Sequence, residues 1–85
     1  MNISKPEHRV LHVLAQGGRI SHLREGGRIT EVTCITRDGM ILVNCSLELF
    51  LRLRRKRLIA SSAGSAYRIS ERGRRLVAAR PDNRM

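Results

Sequence analysis

Eighty-five residues suit one compact domain and no more. The chain carries 17 Lys or Arg against 7 Asp or Glu, a formal net charge of +10, and its hydrophobic fraction of 41% argues against disorder. No run approaches the roughly 20 apolar residues of a membrane span, the N-terminus lacks the apolar core of a signal peptide, and two cysteines without close spacing fit reduced thiols; a cytoplasmic protein with no membrane partner and no cofactor is expected.

In chain order, Ser4 to Glu7 predicts a helix start. Ser4 can cap, Glu7 can complete a capping box three residues on, and Pro6 loses no helical bond in the first turn. Val10, Leu11, Val13 and Leu14 follow at helical spacing, and Gly17-Gly18 ends the helix, since glycine accepts the left-handed cap conformation. A strand-like region runs from Arg19 to Arg24 into the glycine turn Glu25 to Arg28. From Ile29 to Arg37 the pattern alternates, with Thr30, Val32, Cys34 and Thr36 on one face. Asp38-Gly39 signals a tight primed hairpin turn, and Met40 to Val43 is the returning strand, which makes a three-stranded meander.

Ser46 caps a second helix reaching about Lys56. At about 100° per residue, Leu47, Leu49, Phe50, Leu51 and Leu53 fill a broad apolar arc. Leu58 to Ser61 and Ala66 to Ile69 read as two strands of a wing around a Ser62–Ser65 turn. Ser70 caps a last helix whose inner stripe is Gly73, Leu76 and Val77; Gly73 there implies close packing, at a helical cost of roughly 1 kcal/mol. Pro81 stops that helix. Residues 1–80 therefore form one domain and 81–85 a short flexible tail. The class is α+β: three helices, a β-meander and a wing-like hairpin. The second half resembles part of a winged helix, although a helix-turn-helix places two helices before the wing and this chain offers one, preceded by strands.

Charge carries most of the functional information. Residues 46–85 hold eleven cations against Glu48, Glu71 and Asp82, net +8, whereas residues 1–45 hold six against four, net +2. Five cations fall in six positions from Arg52 to Arg57. Helical phasing turns Arg52, Arg55 and Lys56 outward and sets Arg54 and Arg57 nearer the apolar arc, where they snorkel at the helix end. With Arg68, Arg72 and Arg75, the outward trio makes a candidate surface for phosphates or an acidic protein. A merely solvated face is the alternative.

Other chemistry is weakly marked. His8 and His12, four apart, with Cys34 and Cys45 could supply four zinc ligands, but the spacing matches no close-paired zinc motif. His8, His12 or His22 beside arginines could cleave a phosphodiester, yet nothing orients a base. The expectation is no metal and no catalytic residue. The glycine pairs lack a Walker Lys-Ser/Thr ending, and single-strand stacking would have only Tyr67 as a platform.

The ordered motifs resemble the YjhX family of small bacterial toxins. The resemblance begins with Ser4, Glu7, Arg9, the Leu-His-Val-Leu-Ala block of Leu11 to Ala15, Gly17-Gly18, Ile20 and His22. It continues through Gly27-Arg28, Cys34, Arg37, Gly39, Cys45, Phe50, Leu53, Leu58-Ile59, Gly64, Tyr67 to Ile69, Gly73 and Asp82 to Arg84, nearly the whole chain. It implies the toxin of a toxin–antitoxin pair, a non-enzymatic inhibitor of bacterial DNA topoisomerase I, and an acetyltransferase-like antitoxin. It leaves direct DNA contact open and assigns no residue a role. The reading from residues alone is a small winged-helix-like DNA-binding regulator.

Overall fold

The computed structural model describes residues 3–78. Helix α1 (Lys5–Ala15) opens on the expected capping box: the Glu7 backbone N–H donates to Ser4 Oγ at 3.2 Å, and the Ser4 N–H donates to Glu7 Oε1 at 2.7 Å. It closes as a Schellman motif, with Gly17 N–H on the Leu14 carbonyl and Gly18 N–H on the Val13 carbonyl, both 3.1 Å. Gly17 has φ +110°, a conformation that side-chain-bearing residues rarely adopt.

Strands β1 (Arg19–Glu25), β2 (Arg28–Ile35) and β3 (Ile41–Leu42) form the antiparallel meander in that order. Gly26 and Gly27, φ +60° and +80°, supply a two-residue primed turn between β1 and β2. The second turn differs from the expected primed one. Gly39 N–H donates to Thr36 O and Thr36 N–H to Met40 O, so Arg37, Asp38 and Gly39 make a three-residue loop with Gly39 alone at positive φ. The alternation of β2 also breaks. Leu23 pairs with Glu31 and Arg24 with Ile29, leaving Thr30 as the extra residue of a bulge. The bulge shifts the phase by one: Ile29 turns inward on the side of Cys34, and Thr30 is exposed.

Helix α2 (Leu47–Arg55) is capped by Ser46, whose Oγ accepts from Leu49 N–H at 3.1 Å. Strands β4 (Ile59–Ala60) and β5 (Arg68–Ile69) form the wing, shorter than expected, and α3 (Glu71–Ala78) follows. Gly73 sits where a Cβ would collide with the Leu58 carbonyl oxygen and lie 2.7 Å from Ile69 Cγ1. The wing is joined to the meander by one bridge, Ile20 to Tyr67, with N–H···O distances of 2.9 and 2.8 Å. The strands thereby run β4-β5-β1-β2-β3.

All three helices and the strand strip share one core. Phe50, Leu11, Leu14, Ile20, Leu53 and Leu58 are its largest fully buried side chains. Phe50 meets Tyr67 edge-on at 4.9 Å between ring centroids, so the two aromatics tie α2 to the wing. The protein is α+β, with three helices and antiparallel hairpins. Among the described residues no helix is long and apolar enough to cross a membrane. The expected stop at Pro81 and the 81–85 tail lie outside the described residues.

Candidate cationic interface

The sequence placed Arg52, Arg55 and Lys56 together on the outer face of α2; Arg55 is exposed there, whereas Arg52 and Lys56 are only partly exposed. Arg52 and Lys56 turn toward α1, where they hold the buried carboxylate of Glu7. Arg52 Nε donates to Oε2 at 3.2 Å, and Lys56 Nζ donates to both oxygens at 3.2 Å. The Glu7 side chain is only 2% exposed, against 40% for Arg52 and 29% for Lys56. A buried anion is tolerated only when paired and hydrogen-bonded. Two cations one helical turn apart, facing α1, meet that need. Phasing α2 on its own apolar arc could not reveal this, because the carboxylate lies 45 and 49 residues away in sequence.

Burial alone would push the Glu7 carboxyl up. The Ser4 N–H, then Lys56 and Arg52, outweigh it and hold the group below the ordinary carboxylate value. Glu7 is therefore an anion that joins the first turn of α1 to the last turn of α2. Sequence reasoning assigned it only the capping box. One signal was available: Glu7 is the only acidic residue in the first 24 positions.

The remaining candidates, Arg55, Arg68, Arg72 and Arg75, are exposed on α2, the wing and α3. Arg75 reaches Glu71 at 4.0 Å across one turn, a solvent-screened pair. Among the described residues Arg55, Arg68 and Arg72 have no ion-pair partner. Two more cations join them. Arg57 is exposed with φ +62° and ends α2 in a second Schellman motif, its N–H on Arg54 O at 3.0 Å and the Leu58 N–H on Leu53 O at 3.1 Å. Arg74 is exposed on α3. Ser70 stitches these elements: its hydroxyl donates to Arg57 O at 2.8 Å and accepts from Gly73 N–H at 3.1 Å. The cations of the α2 C-terminus and of α3 thus sit on hydrogen-bonded neighbours. Arg54 lies over the Phe50 ring at 5.9 Å with its side chain still exposed, as snorkelling predicts.

The histidines and cysteines are not drawn together. His8 and His12 stack on α1 at 6.4 Å, whereas His22 lies edge-on to Tyr67 at 5.3 Å. Cys34 and Cys45 are buried free thiols; their mutual interaction pulls the Cys34 thiol down and, with burial, pushes the Cys45 thiol up. Among the described residues no group of three or more His, Cys, Asp or Glu could hold a metal ion.

A family model for YjhX toxins, described as "putative toxin of bacterial toxin-antitoxin pair", matches residues 1–84. The chain belongs to the YjhX toxin family. Similar proteins include UPF0386 proteins of Beijerinckia indica, 62% identical over 85 residues with 99% of this chain and 100% of the relative covered, and of Ruegeria sp., 64% identical with the same coverage. The UPF0386 protein of Rhizobium meliloti is 56% identical over 84 residues, covering 99% of this chain and all of its own length. No solved structure gives a significant match. The YjhX description implies an antitoxin partner, and the homologues are bacterial.

Proposed function

We propose that this YjhX-family toxin acts without catalysis, by binding. Arg55, Arg57, Arg68, Arg72 and Arg74, at the end of α2, in the wing and on α3, engage bacterial DNA topoisomerase I, with DNA as a second contact, and block access of the enzyme to its substrate. An acetyltransferase-like antitoxin relieves the block. One observation carries this reading: Arg55, Arg57, Arg68, Arg72 and Arg74 are exposed and, among the described residues, no carboxylate pairs with them. Unpaired guanidinium forks are suited to carboxylate or phosphate oxygens. Arg52 and Lys56, part of the surface read from sequence, contribute here mainly by holding α2 against α1.

A supercoil-relaxation assay tests the reading. Excess folded protein should abolish relaxation by topoisomerase I. The Arg55→Glu/Arg68→Glu/Arg72→Glu variant should restore it while keeping the fold. Undiminished relaxation with the unaltered protein sinks the proposal.

The α2–wing unit favours a second reading, a small winged-helix-like DNA-binding regulator. Strand β5 lies between β4 and β1, and α2 leads directly into the wing, while strands β2 and β3 precede α2 in the chain, where a helix-turn-helix has its other helix. This reading requires duplex affinity that falls steeply with salt. An absence of binding to any duplex at low ionic strength removes it.

A further inference from the structure

A cleft of about 540 Å³ opens between the β1–β2 hairpin end and α2, on a different part of α2 from Arg55. Its lining is Arg24, Gly27, Arg28, Ile29, Leu47, Leu51 and Arg54. Ile29 is buried at its base, and Leu47 and Leu51, one turn apart on α2, are half-buried. The three arginines are exposed. Among the described residues no carboxylate lines the cleft, and none of these arginines forms an ion pair. Strand register sets Glu25 opposite Arg28, but the two do not pair. Arg24 Nη1 instead donates weakly to Gly27 O at 3.4 Å, and Arg54 rests over Phe50.

We propose that this cleft docks an acidic, leucine-bearing segment of a protein partner. An aliphatic floor within an arginine rim has the anatomy of a protein–protein anchor site. Apolar side chains fill the centre, and carboxylates meet the guanidinium forks at the edge. Nucleic acid fits less well. It supplies anions for the rim but nothing aliphatic for the floor, and no exposed aromatic ring lines the cleft for a base to stack on. A second copy fits less well too, because the chain is +10 and no two of its seven acidic residues adjoin in sequence. The site shares no residue with the surface proposed above for topoisomerase, so either can fail without the other.

The test is a titration of the full chain with a synthetic amphipathic helix of about four turns, leucines on one face and glutamates flanking them. Binding is read by fluorescence anisotropy and by methyl chemical shifts. Saturable binding is expected, with the largest shifts at Ile29, Leu47 and Leu51. Affinity should fall at least about tenfold in Arg24→Glu/Arg28→Glu/Arg54→Glu and less than about threefold in Arg55→Glu/Arg68→Glu/Arg72→Glu. If the first variant does not fold, Arg28→Glu alone, at the exposed hairpin end, must still weaken binding several-fold. Three results would overturn the proposal. Polyglutamate or a leucine-scrambled peptide could bind equally well, leaving only generic attraction. Duplex DNA or self-association could account for the shifts at these methyls. The peptide could also fail to shift them at millimolar concentration.

Discussion

Removing the Glu7 charge tests the link between α1 and α2 most directly. Glu7→Gln preserves size and leaves an amide oxygen to accept from Ser4 N–H, so it isolates the interaction with Arg52 and Lys56. A hydrogen bond to a charged group contributes about 1.5–3 kcal/mol. The two cations are 40% and 29% exposed and can rehydrate, which reduces the combined loss to about 2 kcal/mol. For a domain of this size that lowers the melting temperature by about 8–16 °C. Glu7→Ala also loses the capping bond and should cost about 3 kcal/mol. In a Lys56→Met background, Glu7→Gln should cost at least about 1 kcal/mol less. The pH dependence has a definite sign. Because folding lowers the Glu7 pKa, its contribution is complete above the unfolded value of about 4.3 and is lost as pH falls through the lower folded value. The gap between wild type and Glu7→Gln, measured by urea unfolding at several pH values, should therefore shrink on acidification. A variant within about 0.5 kcal/mol of wild type at neutral pH, or a gap that widens in acid, would refute the reasoning.

Gly73→Ala should destabilise by about 2 kcal/mol even though alanine is the better helix former, because its methyl collides with Leu58 O and crowds Ile69; thermal unfolding checks this, and a stabilised variant contradicts the packing described. Arg57→Gly should stabilise by about 0.5–1 kcal/mol, since it removes a side chain from a left-handed Schellman position at φ +62°; chemical denaturation reads it. Arg55→Ala, Arg68→Ala and Arg72→Ala should each move stability by less than about 0.5 kcal/mol while reducing topoisomerase inhibition. Arg52→Ala and Lys56→Ala should lower stability as well, and calorimetry beside the relaxation assay separates the two groups.

Much of the architecture could be read from short-range pattern. Capping of α1 and α2, the glycine stop after α1 and the order of the meander all rest on residues within a few positions of one another. Boundaries suffered where local geometry departed from strict period. The Thr30 bulge shifted the phase of β2, and Gly39 served a three-residue loop because Asp38 does not take positive φ. The candidate site was legible as an excess of positive charge after residue 45, and only partly as a set of side chains. Arg55, Arg68 and Arg72 stand exposed as read. Arg52 and Lys56 do not, because a buried carboxylate from another helix turns them.

Sequence alone establishes the elements, the α+β class, the sign and asymmetry of the charge, and, through its ordered motifs, the toxin family. Tertiary structure decides which arginines remain available. Ile20 finds Tyr67, Glu7 finds Arg52 and Lys56, and the hairpin end meets α2 to set Arg24 and Arg28 beside Arg54, each across more than 20 residues of chain. Helical and strand periodicity report where a side chain points relative to its own element. Whether a buried anion or an open cleft waits there depends on the neighbour packed against it.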